Sequence, residues 1–134
     1  MSEPAASEPA AVEPLRGVVA CHGGLARALV EAVGSISGLD GGLVPVSNTD
    51  CDRNSLEERI DAAVDGRPAV VFIDMASGSC LFAALHRLKA RPNVKVVTGV
   101  NLAMLVDFVF HREASPEDAA QRALAIGGRA IRVP

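Results

Sequence analysis

Short apolar runs alternate along the chain with segments in which apolar residues recur three or four positions apart. Uninterrupted apolar runs are typical of strands buried on both faces of a parallel sheet, and the second spacing is typical of amphipathic helices. The pattern therefore predicts strands that alternate with helices. The predicted strands are 17–21, 43–46, 69–73, 94–98 and a short one at 130–133.

Local residue chemistry marks where the helices start and end. Ser55 and Glu58 match a capping box, in which each side chain satisfies a free backbone amide of the other residue. Ser115 followed by Pro116 predicts a second start, and Gly127-Gly128 predicts the end of that helix. Further helices are predicted from 25 to 36, from near 80, and from 102 to about 110.

The order of these elements predicts the fold class. Strands that alternate with helices form α/β folds with a largely parallel sheet and helices on both faces. We expect a three-layer sandwich of about four parallel strands, with the last segment added as an antiparallel edge or exchanged with a partner. Pro45 lies within the second strand, and proline favours a sheet edge because it cannot donate a ladder hydrogen bond.

Composition limits the classes of partner. The chain has 134 residues, enough for one domain, with 13 basic and 16 acidic residues and no basic block that would favour nucleic acid. No apolar run approaches the ~20 residues of a membrane span, so no direct membrane insertion is expected. The three cysteines include no C-x-x-C pair, which favours a reducing cytoplasm over a disulfide framework. Residues 1–15, rich in Pro, Ala, Ser and Glu, are predicted to be a disordered tail, which leaves 16–134 as the domain.

Candidate chemistry lies at the carboxyl ends of three predicted strands, where open α/β sheets bind their ligands. These loops are His22-Gly23-Gly24, 74–79 and 99–101. If the first, third and fourth strands are neighbours, the three loops meet at one crevice. The two glycines after the histidine allow the backbone to approach an incoming group, and the amides that open the next helix favour an anion. His22 is therefore the predicted functional centre.

Two further groups in these loops have both a functional and a structural interpretation. Asp74 could fix the tautomer of His22 and leave the other ring nitrogen as the nucleophile, or it could cap the loop after its own strand. Ser77, Gly78 and Ser79 could contact an anion through amides and hydroxyls, or they could form an ordinary strand-to-helix turn. The spacing alone does not decide between these interpretations.

Other chemistries are less favoured. A hydrolase triad of His22, Asp74 and Ser79 lacks a G-x-S-x-G elbow, and Ser79 is better explained as a helix cap. Metal binding by Cys21, His22 and Asp74 is disfavoured because adjacent residues at a strand end point in different directions. The other two histidines, His86 and His111, fall in or after helices and are predicted to be solvated or helix-end residues. We therefore expect no metal site.

Three segments, in order and with matching spacing, resemble the mannose-family enzyme IIA domain of the bacterial phosphoenolpyruvate:sugar phosphotransferase system (PTS). GVVACHGGLARALVEAV resembles the first strand, the phosphorylated histidine and the first helix of that family. VVFIDMASGSCLFAA resembles its D-x-x-G-G-S-P segment, and VVTGVNLAMLVDFV resembles its G-V-N-x-P-M-L segment. The resemblance extends over about residues 16 to 134.

The resemblance implies a function. His22 would accept a phosphoryl group from the phosphocarrier protein HPr as a tele-phosphohistidine and pass it to an enzyme IIB component in carbohydrate uptake. It implies no metal or cofactor, a cytoplasmic location in a membrane-associated complex, and a homodimer that exchanges the 130–133 strand. The implied site comprises His22, Asp74 as the residue that orients it, Gly23, Gly78 and Ser79 around the phosphoryl group, and Gly24, Ser77 and Asn101 in the pocket.

The sequence also departs from the family pattern. Ser77, Cys80 and Ala103 stand where the family usually has Gly, Pro and Pro. These changes surround the predicted phosphoryl site and affect the expected partner more than the expected chemistry. Two alternatives stay open: a stand-alone regulatory module whose phosphorylation state reports sugar supply, and a phosphoryl donor to a dihydroxyacetone kinase. The latter family more often places Ser after its histidine, so the two glycines favour the mannose type.

Overall fold

The computed structural model describes residues 13–134. The predicted tail at 1–15 lies mostly outside this part of the chain, although Leu15 is buried in the core and its amide donates to the Arg112 carbonyl. The strands are β1 (Arg16–Cys21), β2 (Leu43–Ser47), β3 (Ala69–Ile73) and β4 (Val94–Thr98). The helices are α1 (Leu25–Ser37), α2 (Arg53–Val64), α3 (Ser79–Leu88), α4 (Leu102–Val109) and α5 (Pro116–Arg129).

The sheet confirms the predicted α/β fold class. All four strands are parallel, in the order β2-β1-β3-β4, and the proline-containing β2 lies at an edge. Helices α1, α4 and α5 cover one face, and α2 and α3 cover the other. No helix among the described residues is both long and apolar enough to cross a bilayer.

Strand β3 shows why its sequence is an unbroken apolar run. Val70 and Phe72 point into one helix layer, and the alternate residues point into the other, so all five side chains are buried. A strand covered on both faces has no polar position. Phe72 packs edge-on against Phe108 of α4, with ring centroids 5.1 Å apart. Burying a side chain of this size contributes about 1.5–3 kcal/mol relative to leaving it exposed.

The strand order creates the crevice that holds the candidate site. The chain passes from β1 to β2 on one side and then crosses to β3 on the other side of β1. The helices that follow β1 and β3 therefore pack on opposite faces, and such a switch point opens a crevice at the carboxyl ends of the two strands. Ala20 pairs with Ile73, so His22 and Asp74 leave the sheet as neighbours.

The predicted capping box at Ser55 and Glu58 is wrong. Helix α2 begins at Arg53, and the Asp52 side chain accepts a hydrogen bond of 2.8 Å from the Ser55 amide. Aspartate caps a helix at least as well as serine. The earlier start also brings Arg53 to within 3.4 Å of Glu57, one turn along the helix.

The predicted end of the last helix is also wrong. Gly127 and Gly128 lie inside α5, which continues to Arg129. A Cβ atom at Gly127 would collide with the Met104 side chain, so this glycine permits close packing of α5 on α4. The predicted strand at 130–133 does not join the four-stranded sheet; the residues after α5 are exposed, and Ile131 is 79% accessible.

Candidate functional site

The imidazole of His22 is fixed by Asp74 across the β1–β3 crevice. Its Nδ1 lies 2.9 Å from Asp74 Oδ2, and the same oxygen accepts the His22 backbone amide at 2.9 Å. The Asp74 side chain is 10% exposed and that of His22 is 42% exposed. The carboxylate thus binds both the ring and the backbone of His22. Its ring contact is with Nδ1, so Nε2 is not hydrogen-bonded to Asp74.

The electrostatic surroundings keep Asp74 ionised. Burial raises the pKa of the Asp74 carboxyl, but the hydrogen bonds from the His22 amide and ring outweigh it, so the pKa lies below its usual value. An ionised Asp74 accepts a hydrogen bond from Nδ1–H and stabilises positive charge on the ring. Its second oxygen, Oδ1, is buried and finds no hydrogen-bond partner within residues 13–134.

The Nε2 edge of His22 faces the start of helix α3. Gly78 caps this helix without a side-chain hydrogen bond, and a Cβ atom built on it would lie 3.4 Å from His22 Cε1 and 3.5 Å from Nε2. The backbone there has a φ of 95°, which favours glycine. The first amides of a helix lack partners within the helix, and they attract an anion. The arrangement can therefore hold a negatively charged group on Nε2.

Absence of a side-chain cap distinguishes the helices at this site. Among the described helices, α1 and α3 begin at glycines without a side-chain cap, next to His22. The other three are capped by the side chains of Asp52, Asn101 and Ser115. The first amides of α1 and α3 are thus free to bind an anion, whereas side-chain caps bind the first amides of the other three helices.

The end of strand β2 supplies residues that the sequence pattern did not single out. Asn48 Oδ1 accepts the Gly23 amide at 3.1 Å, and Asn48 Nδ2 donates to Ser79 Oγ at 3.2 Å. Ser47 Oγ donates to the Gly23 carbonyl at 2.7 Å. Both backbone groups of Gly23 are therefore held by the last residue of β2 and the residue directly after it, and β2 neighbours β1 in the sheet. The sequence signal that could have identified these residues is the polar run after β2. That this run lies next to His22, however, depends on the order of the strands in the sheet.

The predicted site residues do not all meet. Gly23, Gly78 and Ser79 lie around His22, whereas Asn101 is used in the helix layer: its Oδ1 accepts the Met104 amide and its Nδ2 donates to the Gly127 carbonyl. Ser79 is the first residue of α3 and not its cap, which corrects its interpretation as a helix cap. Gly24 and Ser77 are exposed at the rim.

A second histidine has a similar partner. His86 Nδ1 lies 2.8 Å from Oε1 of Glu57, a carboxylate whose side chain is 8% exposed. The prediction that His86 is merely solvated or at a helix end misses this bond, because it joins α3 to α2 and depends on their packing. The hydrogen bond from His86 holds the pKa of the Glu57 carboxyl below its usual value, against the effect of burial.

Comparisons with known proteins show the family of the chain. Residues 17–124 match the EIIA-man family, described as PTS system fructose IIA component. Among curated proteins, none matches the chain.

Three solved structures have a similar fold. The mannose/sorbose specific IIA subunit of the phosphotransferase system from Enterococcus faecalis has 20% identity and a TM-score of 0.79, over 91% of this chain and 96% of that one. Phosphotransferase system component EIIA from Streptococcus agalactiae has 17% identity and a TM-score of 0.82, over 89% and 96%. A sigma-54 interaction domain protein from Enterococcus faecalis has 15% identity and a TM-score of 0.72, over 89% and 94%.

Proposed function

The chain belongs to the EIIA-man family of PTS IIA components, and from this premise we propose that it is a cytoplasmic phosphohistidine carrier. His22 accepts a phosphoryl group from HPr and passes it to an enzyme IIB component in carbohydrate uptake. The observation that carries the proposal is the position of the His22 ring: Nδ1 is bound by Asp74, and Nε2 faces the uncapped start of α3.

The transfer step follows from this geometry. The Nε2 lone pair attacks the phosphorus of phospho-HPr, a new N–P bond forms on His22, and the N–P bond of the donor breaks. The Nδ1 proton stays between the ring and Asp74, so no proton needs to leave His22. The ring gains positive character, which the carboxylate stabilises, and the phosphoryl oxygens meet the free amides of α3. Catalysis then consists mainly of positioning and charge stabilisation.

Partner docking is supported by apolar residues around the crevice. Leu25, Met75 and Phe82 are exposed, and they lie at the start of α1, directly after Asp74 and in the first turn of α3. Exposed apolar groups next to a reacting centre are suited to a transient protein partner that excludes water from the transfer. HPr and enzyme IIB would use this surface in turn, because each must bring its own phosphoryl-carrying residue to His22.

The experiment is a transfer assay with a matched control. Purified chain is incubated with phosphoenolpyruvate, enzyme I and HPr, and acid-labile phosphate is measured. We expect one phosphoryl group per chain, lost in His22→Ala and kept in His86→Ala, whose ring has a similar carboxylate partner. Equal labelling of wild type and His22→Ala would refute the proposal.

A regulatory role is a second candidate, favoured by the exposed Ser77 and Met75 on the loop that would meet the acceptor. In that case phosphorylated chain would bind a target without losing its phosphate, and the same loop would select the target. Transfer of the labelled phosphoryl group to a purified enzyme IIB supports the carrier. Retention of the label in a complex with another protein, including a dihydroxyacetone kinase, supports the alternative.

A further inference from the structure

Three metal-ligating side chains from three different elements converge at the crevice. His22 follows β1, Asp74 follows β3 and Cys80 is the second residue of α3. One ligand atom of each lies within 4.8 Å of the others. This set differs from the Cys21, His22 and Asp74 combination that the sequence disfavours, because Cys80 of α3 takes the place of the strand residue adjacent to His22.

The donor types define which ions the site would take. A thiolate, an imidazole and a carboxylate match Zn²⁺ and similar transition metals, whereas Mg²⁺ and Ca²⁺ prefer oxygen donors only. Around a tetrahedral Zn²⁺, neighbouring ligand atoms of these types lie about 3.3–3.6 Å apart, given metal–ligand bonds of about 2.0–2.3 Å. A spacing within 4.8 Å therefore requires only small side-chain adjustments. His22 is partly exposed, which provides an entry path and a fourth position for water.

An unpartnered buried oxygen is an independent observation at the same place. Asp74 Oδ1 has no hydrogen-bond partner among the described residues, and the Asp74 side chain is nine-tenths buried. A buried carboxylate oxygen without a donor is costly, and a cation would satisfy it. Cys80 is fully buried beside it, so the metal would reach both groups from the His22 side.

We propose that His22, Asp74 and Cys80 bind one thiophilic divalent transition-metal ion of the zinc class, and that the bound ion prevents phosphorylation of His22. Binding converts the Cys80 thiol into a metal-bound thiolate and releases one proton to solvent. The ion uses a ring nitrogen of His22: at Nε2 it blocks the nucleophile, and at Nδ1 it replaces the proton through which the ring donates to Asp74. The first part of the proposal is independent of the proposed function, and the second part rests on it.

The binding test uses Co²⁺ as a spectroscopic probe for the zinc class. The reduced full chain is titrated with Co²⁺ under anaerobic conditions, without added thiols. We expect a near-ultraviolet sulfur-to-cobalt charge-transfer band that saturates at one ion per chain and disappears when Zn²⁺ is added. The band should be lost in Cys80→Ser and His22→Ala but kept in Cys51→Ser, the matched control. Absence of the band, or its presence in Cys80→Ser, would overturn the site.

The competition test separates this inference from the proposed function. Phosphorylation by phospho-HPr is measured with and without Zn²⁺, and each variant is compared with its own metal-free rate. We expect Zn²⁺ to reduce the rate at least tenfold in wild type and much less in Cys80→Ser. A cobalt band without any phosphorylation of His22 would refute only the carrier function. If Zn²⁺ slows phosphorylation equally in wild type and Cys80→Ser, the proposal that the bound ion prevents phosphorylation of His22 is refuted.

Discussion

Two histidine–carboxylate pairs in the described chain have almost the same geometry but lie at opposite ends of one helix. His22 Nδ1 is 2.9 Å from Asp74 and His86 Nδ1 is 2.8 Å from Glu57. In both pairs the carboxylate is nearly buried and the imidazole is about half exposed. His22 faces the start of α3, however, whereas His86 lies in its last turn.

The position along α3 gives the two rings different electrostatic surroundings. Free amides and partial positive charge collect at a helix start, and free carbonyls and partial negative charge collect at its end. A phosphoryl group on His22 would face the amide end of α3, whereas His86 lies in the last turn, near the carbonyl end of the same helix. The comparison predicts that a carboxylate on Nδ1 is not sufficient for a phosphoryl site, and that the helix start facing the His22 ring is needed as well.

The largest expected effect comes from neutralising each carboxylate in turn. Asp74→Asn should slow phosphorylation of His22 about 100-fold, because an amide cannot stabilise the positive ring and can hold the wrong tautomer. Glu57→Gln should leave that rate within about twofold while lowering Tm, since it weakens the contact between α2 and α3 and the pair with Arg53 within α2, both away from His22. Initial rates with phospho-HPr and thermal unfolding of both variants give the comparison. Equal rates in wild type and Asp74→Asn would remove Asp74 from the mechanism.

A second expected effect concerns the helix start itself. Gly78→Ala should lower the phosphorylation rate about tenfold or more, because the methyl group would occupy space beside His22 Nε2 and strain a backbone with a φ of 95°. Gly34→Ala is the matched control: its Cβ meets nothing within 4 Å inside α1. It should raise the free energy of unfolding by about 0.5–1 kcal/mol without slowing transfer. If both variants transfer at the wild-type rate, the start of α3 does not bind the phosphoryl group.

The third expected effect separates two asparagines. Asn48→Ala should slow transfer about three- to fivefold, because it releases the Gly23 amide and Ser79 Oγ next to His22. Asn101→Ala should instead lower the free energy of unfolding by about 1 kcal/mol, because it removes the cap of α4. The phosphorylation rate and the denaturant-induced unfolding of both variants test whether the two asparagines have these separate roles. If Asn101→Ala slows transfer and Asn48→Ala does not, Asn101 belongs to the phosphoryl pocket after all.

Much of the fold could be predicted because short stretches of sequence determine it locally. The β3 run is apolar because both of its faces are covered, and Pro45 indicated the sheet edge. His22 and Asp74 could be placed together once their strands were taken as neighbours. The role of each residue stays a prediction until transfer is measured.

The remaining features depend on packing that the local sequence does not contain. Asn48 reaches Gly23 only because β2 lies beside β1, and the β2 loop looks like ordinary polar connection. Gly127 reads as a helix terminator, yet the side chains of α4 make it a contact residue inside α5. Pairs such as His86 and Glu57 likewise require knowing which helices pack together.

The smallest expected effect is the pH dependence of the pair at the end of α3. The hydrogen bond from His86 lowers the pKa of Glu57 in the folded chain. A carboxyl whose folded-state pKa is depressed contributes stability above its unfolded pKa, about 4.3, and loses it as the pH falls through the folded value. The Tm difference between wild type and Glu57→Gln should therefore be a few degrees between pH 5 and 7 and should shrink towards pH 3. Glu58→Gln, at the exposed neighbouring position, is the control and should show a smaller difference. A Tm difference for Glu57→Gln that is the same at pH 3 as at pH 6 would show that Glu57 stabilises the fold by packing and not as a charged partner of His86.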